Sequence, residues 1–217
     1  MFTKAEEDYL KAIYSLLEKD DNISTNVIAS YLGMKASSVT DMLKKLADKK
    51  LVNYIKYRGV NLSAKGKKIA VNIIRKHRLW ETFLVDRLNF SWDKVHDIAE
   101  QLEHIDSPDL INKLDNYLDN PKYDPHGDPI PDINGKIHKQ NNIPLSELQI
   151  KAKAKVMGVN SDDSKYLQYL STLNIKIGTD ILIKDKVEFD KSINIELNSN
   201  AIHISYEAAK HLLVKKI

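Results

Sequence analysis

Ala29, Gly33 and Val39 stand four and six residues apart between two short apolar-periodic segments, and this spacing constrains the fold more than any other feature of the chain. From Thr3 to Glu18 the apolar residues Ala5, Tyr9, Ala12, Ile13, Leu16 and Leu17 fall on one helical face. Ser24 is placed to cap a second short helix whose inner side is Val27, Ile28, Tyr31 and Leu32. A third runs from Ala36 to Leu46, with Val39, Met42, Leu43 and Leu46 inward. A small residue where two helices touch, a glycine free to adopt the left-handed turn and an apolar residue in the following helix make a helix-turn-helix. Leu51–Ile55 and Val60–Leu62 then read as two strands joined around Lys56-Tyr57-Arg58-Gly59. A hairpin directly after a recognition helix is a wing, so residues 1–75 are expected to form a winged helix-turn-helix domain.

Charge supports that reading. Residues 1–75 hold 14 Lys/Arg against 8 Asp/Glu, a net of +6, while residues 76–120 hold 5 against 10, a net of −5. A basic head suits an anionic partner such as DNA, and an acidic middle suits a cation. With no cysteine, disulfides and thiolate chemistry are excluded. No apolar run approaches the roughly 20 residues that span a bilayer, and the N-terminus lacks the apolar stretch of a secretory signal. The expected setting is the cytoplasm, with no membrane partner.

Beyond the wing, a long helix is expected from Ser63 to about Leu88, a second from Trp92 to Ile105, and a third after Ser107-Pro108 to about Leu118. Residues 121–144, rich in proline, glycine and asparagine, read as a linker with turns. From 145 to 217 short strands appear at 155–159, 180–183, 193–197 and 201–204, interrupted by a helix at 163–172 and closed by a helix from Tyr206 to about Leu213. The fold class expected is mainly α with small β: the winged domain, a helical domain over 76–120, and a small SH3-like β-barrel over 145–217.

The acidic middle carries the chemistry. His96, Glu100, Glu103 and His104 sit at i, i+4, i+7 and i+8, which on a helix share one face. His77 and Glu81, at i and i+4, share a face of the preceding helix, and Asp8 lies on the first. A lone glutamate on a helix is usually solvated, and His77 could belong to a basic surface. Six ligand-type residues in two helical clusters within 28 positions point instead to a divalent-metal site. Carboxylates with imidazoles suit Mn²⁺ or Fe²⁺ better than Cu(I), and zinc and cobalt could bind the same groups.

Glu7-Asp8-Tyr9-Leu10, Ser37-Ser38-Val39-Thr40, Arg75-Lys76-His77-Arg78-Leu79, the stretch Val95–His104 and Pro125-His126-Gly127 through Pro131 together resemble the diphtheria-toxin-repressor family of iron- and manganese-dependent transcriptional regulators, over nearly the whole chain. The resemblance implies the three-domain type, with residues 76–120 serving metal binding and dimerisation and an SH3-like, FeoA-like domain at the C-terminus. It implies two metal sites per subunit: a primary site of Asp8, Glu100, Glu103 and His104, and a second of His77, Glu81 and His96 completed by Asp162 or its neighbour Asp163. The two carboxylates Asp8 and Glu100, where iron-sensing members have Met and Cys, match the manganese-type primary site. The sequence departs from the family at Lys11, where the two-domain manganese regulators carry a further carboxylate, and at Lys165, where some three-domain members place a Gln ligand.

The function this implies is a non-enzymatic, metal-dependent transcriptional repressor. Activated by Mn²⁺ or Fe²⁺, it binds a palindromic double-stranded operator as a homodimer to control metal homeostasis, and it has no small-molecule substrate. The recognition helix would present Ala36, Ser37, Ser38, Thr40 and Asp41 to the groove, with Lys44, Lys45, Lys56, Arg58 and Lys65 on phosphates. Two other readings explain less. A metal-independent winged-helix regulator leaves the 77–104 cluster without a role. A helical di-metal enzyme calls for Glu-x-x-His motifs on two helices, and there are none.

Overall fold

Thr3 opens the first helix, α1 (Lys4–Leu17), with a reciprocal capping box: its hydroxyl accepts from the Glu6 amide and the Glu6 carboxylate accepts from the Thr3 amide. The computed structural model describes every residue except 1, 19, 21–22, 56–58 and 139. The wing tip expected to carry Lys56 and Arg58 therefore lies outside the described residues. The chain divides into two units, residues 1–77 with 101–108 and 131–136, and residues 78–100 with 109–130 and 137–217.

In the first unit, Ser24 caps α2 (Thr25–Leu32), and Gly33 ends it in the left-handed region at φ 64°. Helix α3 (Ala36–Asp48) follows, then β1 (Val52–Ile55) and β2 (Gly59–Leu62), paired antiparallel. Ile23 bridges to Val60 and so ties the start of the helix-turn-helix to the wing. Leu10, Ile13, Ile28, Val39, Leu43, Leu46 and Leu51 are fully buried together. Each such side chain contributes about 1.5–3 kcal/mol by leaving water, so the winged domain has a core of its own. Helix α4 (Ala64–Asp86) starts hard against β1: a Cβ on Gly66 would lie 2.0 Å from the Leu51 carbonyl oxygen.

The second unit holds the last turns of α4, most of α5 (His96–Leu102) and α6 (Pro108–Tyr117). Leu79, Ile111, Leu114, Leu118 and Ile130 form a small core there, with Trp80 and Phe83 packed edge to face beside it. A six-stranded antiparallel sheet makes the rest. Its strands are β3 (Ile143–Pro144), β4 (Lys153–Val159), β5 (Asp180–Lys186), β6 (Ile193–Leu197), β7 (Asn200–Ile204) and β8 (Leu212–Lys216), in the order β3-β8-β4-β5-β6-β7. Helices α7 (Ser164–Thr172) and α8 (Tyr206–His211) interrupt it.

Four features differ from the sequence expectations. Helix α5 starts at His96 rather than Trp92 and stops at Leu102, leaving Glu103 and His104 in the turn beyond it. The cause at its start is a competing partner: His126 Nε2 lies 2.8 Å from the Trp92 carbonyl oxygen that a continuing helix would use, and the Trp92 indole donates to the Ser171 hydroxyl. The segment 121–130 is not a loose linker, because Asp124, His126 and Ile130 are buried. The closing helix ends at His211, and Leu212–Lys216 becomes a strand because β4 and β3 offer it ladders on both sides. Finally, the sheet runs from edge to edge, and among the described residues no pairing of β7 with β3 closes it into a barrel.

Candidate metal centre

Asp8, Glu103 and His104 each offer a ligand atom, all within 4.8 Å of one another. Asp8 comes from the second turn of α1, whose inner face is fixed by Tyr9, Leu10 and Ile13. His104 Nε2 lies 3.0 Å from Asp8 Oδ1 and 3.8 Å from Glu103 Oε1. That nitrogen is buried and in ion-pair range but not in hydrogen-bond alignment, an arrangement that fits a divalent cation between hard oxygen and imidazole donors. Glu100 pairs with His96 at 3.6 Å and is half exposed.

Two neighbours from α1 complete this cluster. Glu7 Oε2 stands 2.6 Å from the other nitrogen of the same ring, His104 Nδ1. The Lys11 ammonium donates to Glu103 Oε2 at 2.7 Å and lies 3.2 Å from His77 Nδ1, itself 2.6 Å from that oxygen. Burial pushes the Glu103 carboxyl up, but the His77 contact and the Lys11 charge outweigh it and hold it below the ordinary carboxylate range. Lys11, a departure from the family pattern in the sequence, thus has a definite partner.

A second group forms in the other unit. His96 Nδ1 is 3.4 Å from Glu81 Oε1, and His96 Nε2 is 3.6 Å from Asp162 Oδ2. Glu100 and Glu81 raise the His96 pKa to about 10 against its partial burial. Asp163 is instead the N-cap of α7, accepting from the Lys165 and Tyr166 amides, so of the two aspartates Asp162 is the one turned to His96. His77 stands one helical turn before Glu81 on α4.

Asp124 and His126 are ligand-type residues here that sequence reasoning did not single out. With Glu81 they are buried and offer atoms within 4.8 Å of one another, and His126 Nδ1 lies 3.5 Å from Glu81 Oε2. Burial lowers the His126 pKa, but Glu81 and Asp124 outweigh it and lift it to about 9; burial raises Asp124 to about 7. Arg78 stands 3.6 Å from Asp124 and 3.3 Å from Asp128. The Pro-His-Gly turn is pressed onto β4: at φ 87°, a Cβ on Gly127 would meet the Met157 carbonyl oxygen at 2.1 Å. Only two ligand types beside a glycine marked this turn in the sequence, a pattern shared with many surface turns.

On the recognition helix, Ala36, Ser37, Ser38, Asp41 and Lys44 are exposed, and Thr40 is half-buried with its hydroxyl on the Ala36 carbonyl. Lys65 is exposed beside the Phe2 ring. Lys45 is engaged differently: with Lys49 it holds the fully buried Glu6 carboxylate, at 3.1 and 2.6 Å.

Comparison with known proteins places three family models end to end: the iron dependent repressor N-terminal DNA binding domain over residues 1–60, the iron dependent repressor metal binding and dimerisation domain over 63–132, and the FeoA domain over 143–216. The HTH-type transcriptional regulator MntR of Oceanobacillus iheyensis is 38% identical over 121 residues, 54% of this chain and 82% of that protein. The iron-dependent repressor IdeR of Mycobacterium tuberculosis is 34% identical over 127 residues, 58% of this chain, and the match spans only 55% of the mycobacterial protein. A solved manganese-dependent transcriptional repressor in complex with manganese superposes with a TM-score of 0.88 at 32% identity, covering 98% of this chain and all of the other.

Proposed function

This chain belongs to the iron-dependent repressor family, and from that premise we propose that it is a transcriptional repressor whose binding to DNA is switched on by a divalent metal ion, Mn²⁺ in the first place and Fe²⁺ in the second. The observation that carries this reading is the approach of His104 Nε2 to Asp8 Oδ1 at 3.0 Å. It ties α1 of the winged domain to a segment nearly a hundred residues later.

In this reading Asp8, Glu103 and His104 form the primary site, with Glu100, one turn before Glu103, as its fourth ligand. Glu81, His96, Asp162 and His77 form the second, making two sites per subunit. The burial of Asp124 and His126 against Glu81 supports counting them among its neighbours. A bound cation supplies positive charge that lets the carboxylates share one position. The protein's part is mechanical: Asp8 carries α1, and α1 carries the core on which the recognition helix is packed. Metal binds the competent geometry more tightly than the open one and so shifts the population toward it.

Ala36, Ser37, Ser38, Thr40 and Asp41 then face base edges, and Lys44 and Lys65 reach phosphates; Lys56 and Arg58, outside the described residues, are assigned the same role from the sequence alone. Lys45 is half exposed but is engaged with Glu6. Two copies joined through the helical domain present two recognition helices to a palindromic operator in the cytoplasm. Among the described residues no helix is long and apolar enough to cross a membrane. The test is duplex DNA selected from a random library in the presence of Mn²⁺, its affinity then measured with Mn²⁺, with Fe²⁺ under anaerobic conditions, and with a chelator. We expect the affinity to collapse in chelator; equal affinity in all three would reject the function.

A further inference from the structure

Resting on the primary-site reading above, we propose that Glu7 is a positioning residue of the metal centre, which locks the His104 ring with Nδ1 as its proton-bearing nitrogen and Nε2 as the nitrogen left for the ion. The two nitrogens of this ring face two consecutive residues of α1: Glu7 Oε2 is 2.6 Å from Nδ1, and Asp8 Oδ1 is 3.0 Å from Nε2. The distances assign different roles. At 2.6 Å there is room for a shared proton and none for a cation, so the Glu7 contact is a charge-assisted hydrogen bond. Metal–donor bonds of about 2.1 Å place two ligands of one ion about 3–4 Å apart. The separations of Nε2 from Asp8 Oδ1, 3.0 Å, and from Glu103 Oε1, 3.8 Å, fall in that range.

Exposure agrees: the Glu7 side chain is 17% accessible and His104 13%, against 38% for Asp8. The Glu7 bond is therefore partly shielded from water. A ring nitrogen bonded to a carboxylate fixes the tautomer and aim of the other nitrogen and makes it a better donor, and losing such a partner typically weakens metal binding 10–100-fold. Glu7 and Asp8 grip one imidazole from adjacent positions, so ordering that ring also orders the first two turns of α1. Within this unit the carboxylates Glu7, Asp8 and Glu103 approach the ring, Lys11 and His77 hold the far oxygen of Glu103, and Lys4, Lys68, Lys76 and Asp106 line the same cavity as Glu7 and His104.

The test uses the full chain with Glu7→Ala and Glu7→Gln. Mn²⁺ affinity is followed by the electron paramagnetic resonance signal of free Mn²⁺, and the His104 tautomer by ¹⁵N NMR of the ring in Zn²⁺-loaded protein. We expect Glu7→Ala to weaken binding by about 10–100-fold, with a mixed tautomer at His104. Glu7→Gln, whose amide oxygen still accepts from Nδ1, should recover most of the affinity and the single tautomer. Unchanged affinity in Glu7→Ala overturns the proposal. So does weakened binding with the His104 tautomer intact, and so does a Gln variant as weak as the Ala variant, which would make Glu7 a ligand through its charge. His104→Ala separates the two levels. If it too binds Mn²⁺ like the wild type, the primary site itself is misplaced; if it loses Mn²⁺ while Glu7→Ala does not, only the role of Glu7 falls.

Discussion

Lys11 puts a fixed positive charge on Glu103, a carboxylate with 1% accessibility. Removing one partner of a buried charged hydrogen bond leaves the other undercompensated, at a cost of about 1–3 kcal/mol. His77 remains on the same oxygen, so the lower part of that range applies. Lys11→Met is therefore expected to lower the metal-free melting temperature. It should also enlarge the rise in melting temperature on adding Mn²⁺, because a cation then meets a carboxylate that no ammonium partly neutralises. Thermal unfolding with and without Mn²⁺ measures both; an unchanged metal-free melting point would mean the Lys11–Glu103 pair contributes nothing. At this scale the sequence showed which residues could be ligands, since His and carboxylate spacing is a one-dimensional pattern. It could not show that Lys11 turns inward to Glu103, nor that Glu7 meets the far nitrogen of His104. Both contacts join residues more than 90 positions apart, and no local rule sets them.

At the scale of elements, α1 and α3 are joined by one buried charge. Burial pushes Glu6 up, but Lys49, the Thr3 amide and Lys45 outweigh it and hold its pKa at about 2, below the usual 4.5. A depressed folded pKa stabilises above the unfolded value and loses that stabilisation as pH falls toward the folded one. Glu6→Gln keeps the capping oxygen and loses the charge. It should unfold at lower denaturant than wild type at pH 7, and the gap should close between about pH 4.5 and about pH 2. A gap that persists at low pH would show that the ion pairs are not its source. The Gly127 turn is the corresponding joint in the other unit. Gly127→Ala meets the Met157 carbonyl oxygen at 2.1 Å with φ at 87°, so the turn must lift from β4. Overpacking of this kind costs about 1–3 kcal/mol, and it should displace His126 from Glu81. The expected outcome is a lower melting point with weaker binding of the second metal equivalent and the first retained; calorimetric titration separates them. The elements themselves were readable wherever period and caps agree, as for Thr3, Ser24 and Gly33. They failed where a distant partner overrules a local pattern: Trp92 gives its carbonyl to His126, and Leu212 and Leu213 leave helical spacing for ladders with β4.

For the whole molecule, the apolar residues left uncovered in the helical domain bear on assembly. Leu88, Phe90, Leu110 and Tyr117 are between 39% and 62% exposed, and Leu110 and Tyr117 stand seven residues apart on one face of α6. Phe83 packs its ring 6.3 Å from that of Tyr117 and extends the surface. A contiguous apolar face in a single chain marks an interface, and a two-fold dimer buries the same patch on both copies. That symmetry is what a palindrome matches, with half-sites about 34–36 Å apart or a multiple of it. Each neutralised phosphate adds about −0.9 to the slope of log affinity against log salt, and a dimer carries every lysine twice, so one substitution should flatten the slope about twice as much. Lys44→Ala and Lys65→Ala test the phosphate-binding roles in this way. Leu110→Glu tests the dimer itself. Placing a carboxylate on this face should give a monomer by sedimentation, while Asp8, Glu103 and His104, none of them on α6, still bind Mn²⁺. Such a monomer should bind an isolated half-site weakly and lose the tighter binding to the full palindrome. A Leu110→Glu protein that still sediments as a dimer would move the interface off α6, and one that is monomeric yet binds the palindrome as tightly as wild type would detach dimerisation from operator recognition.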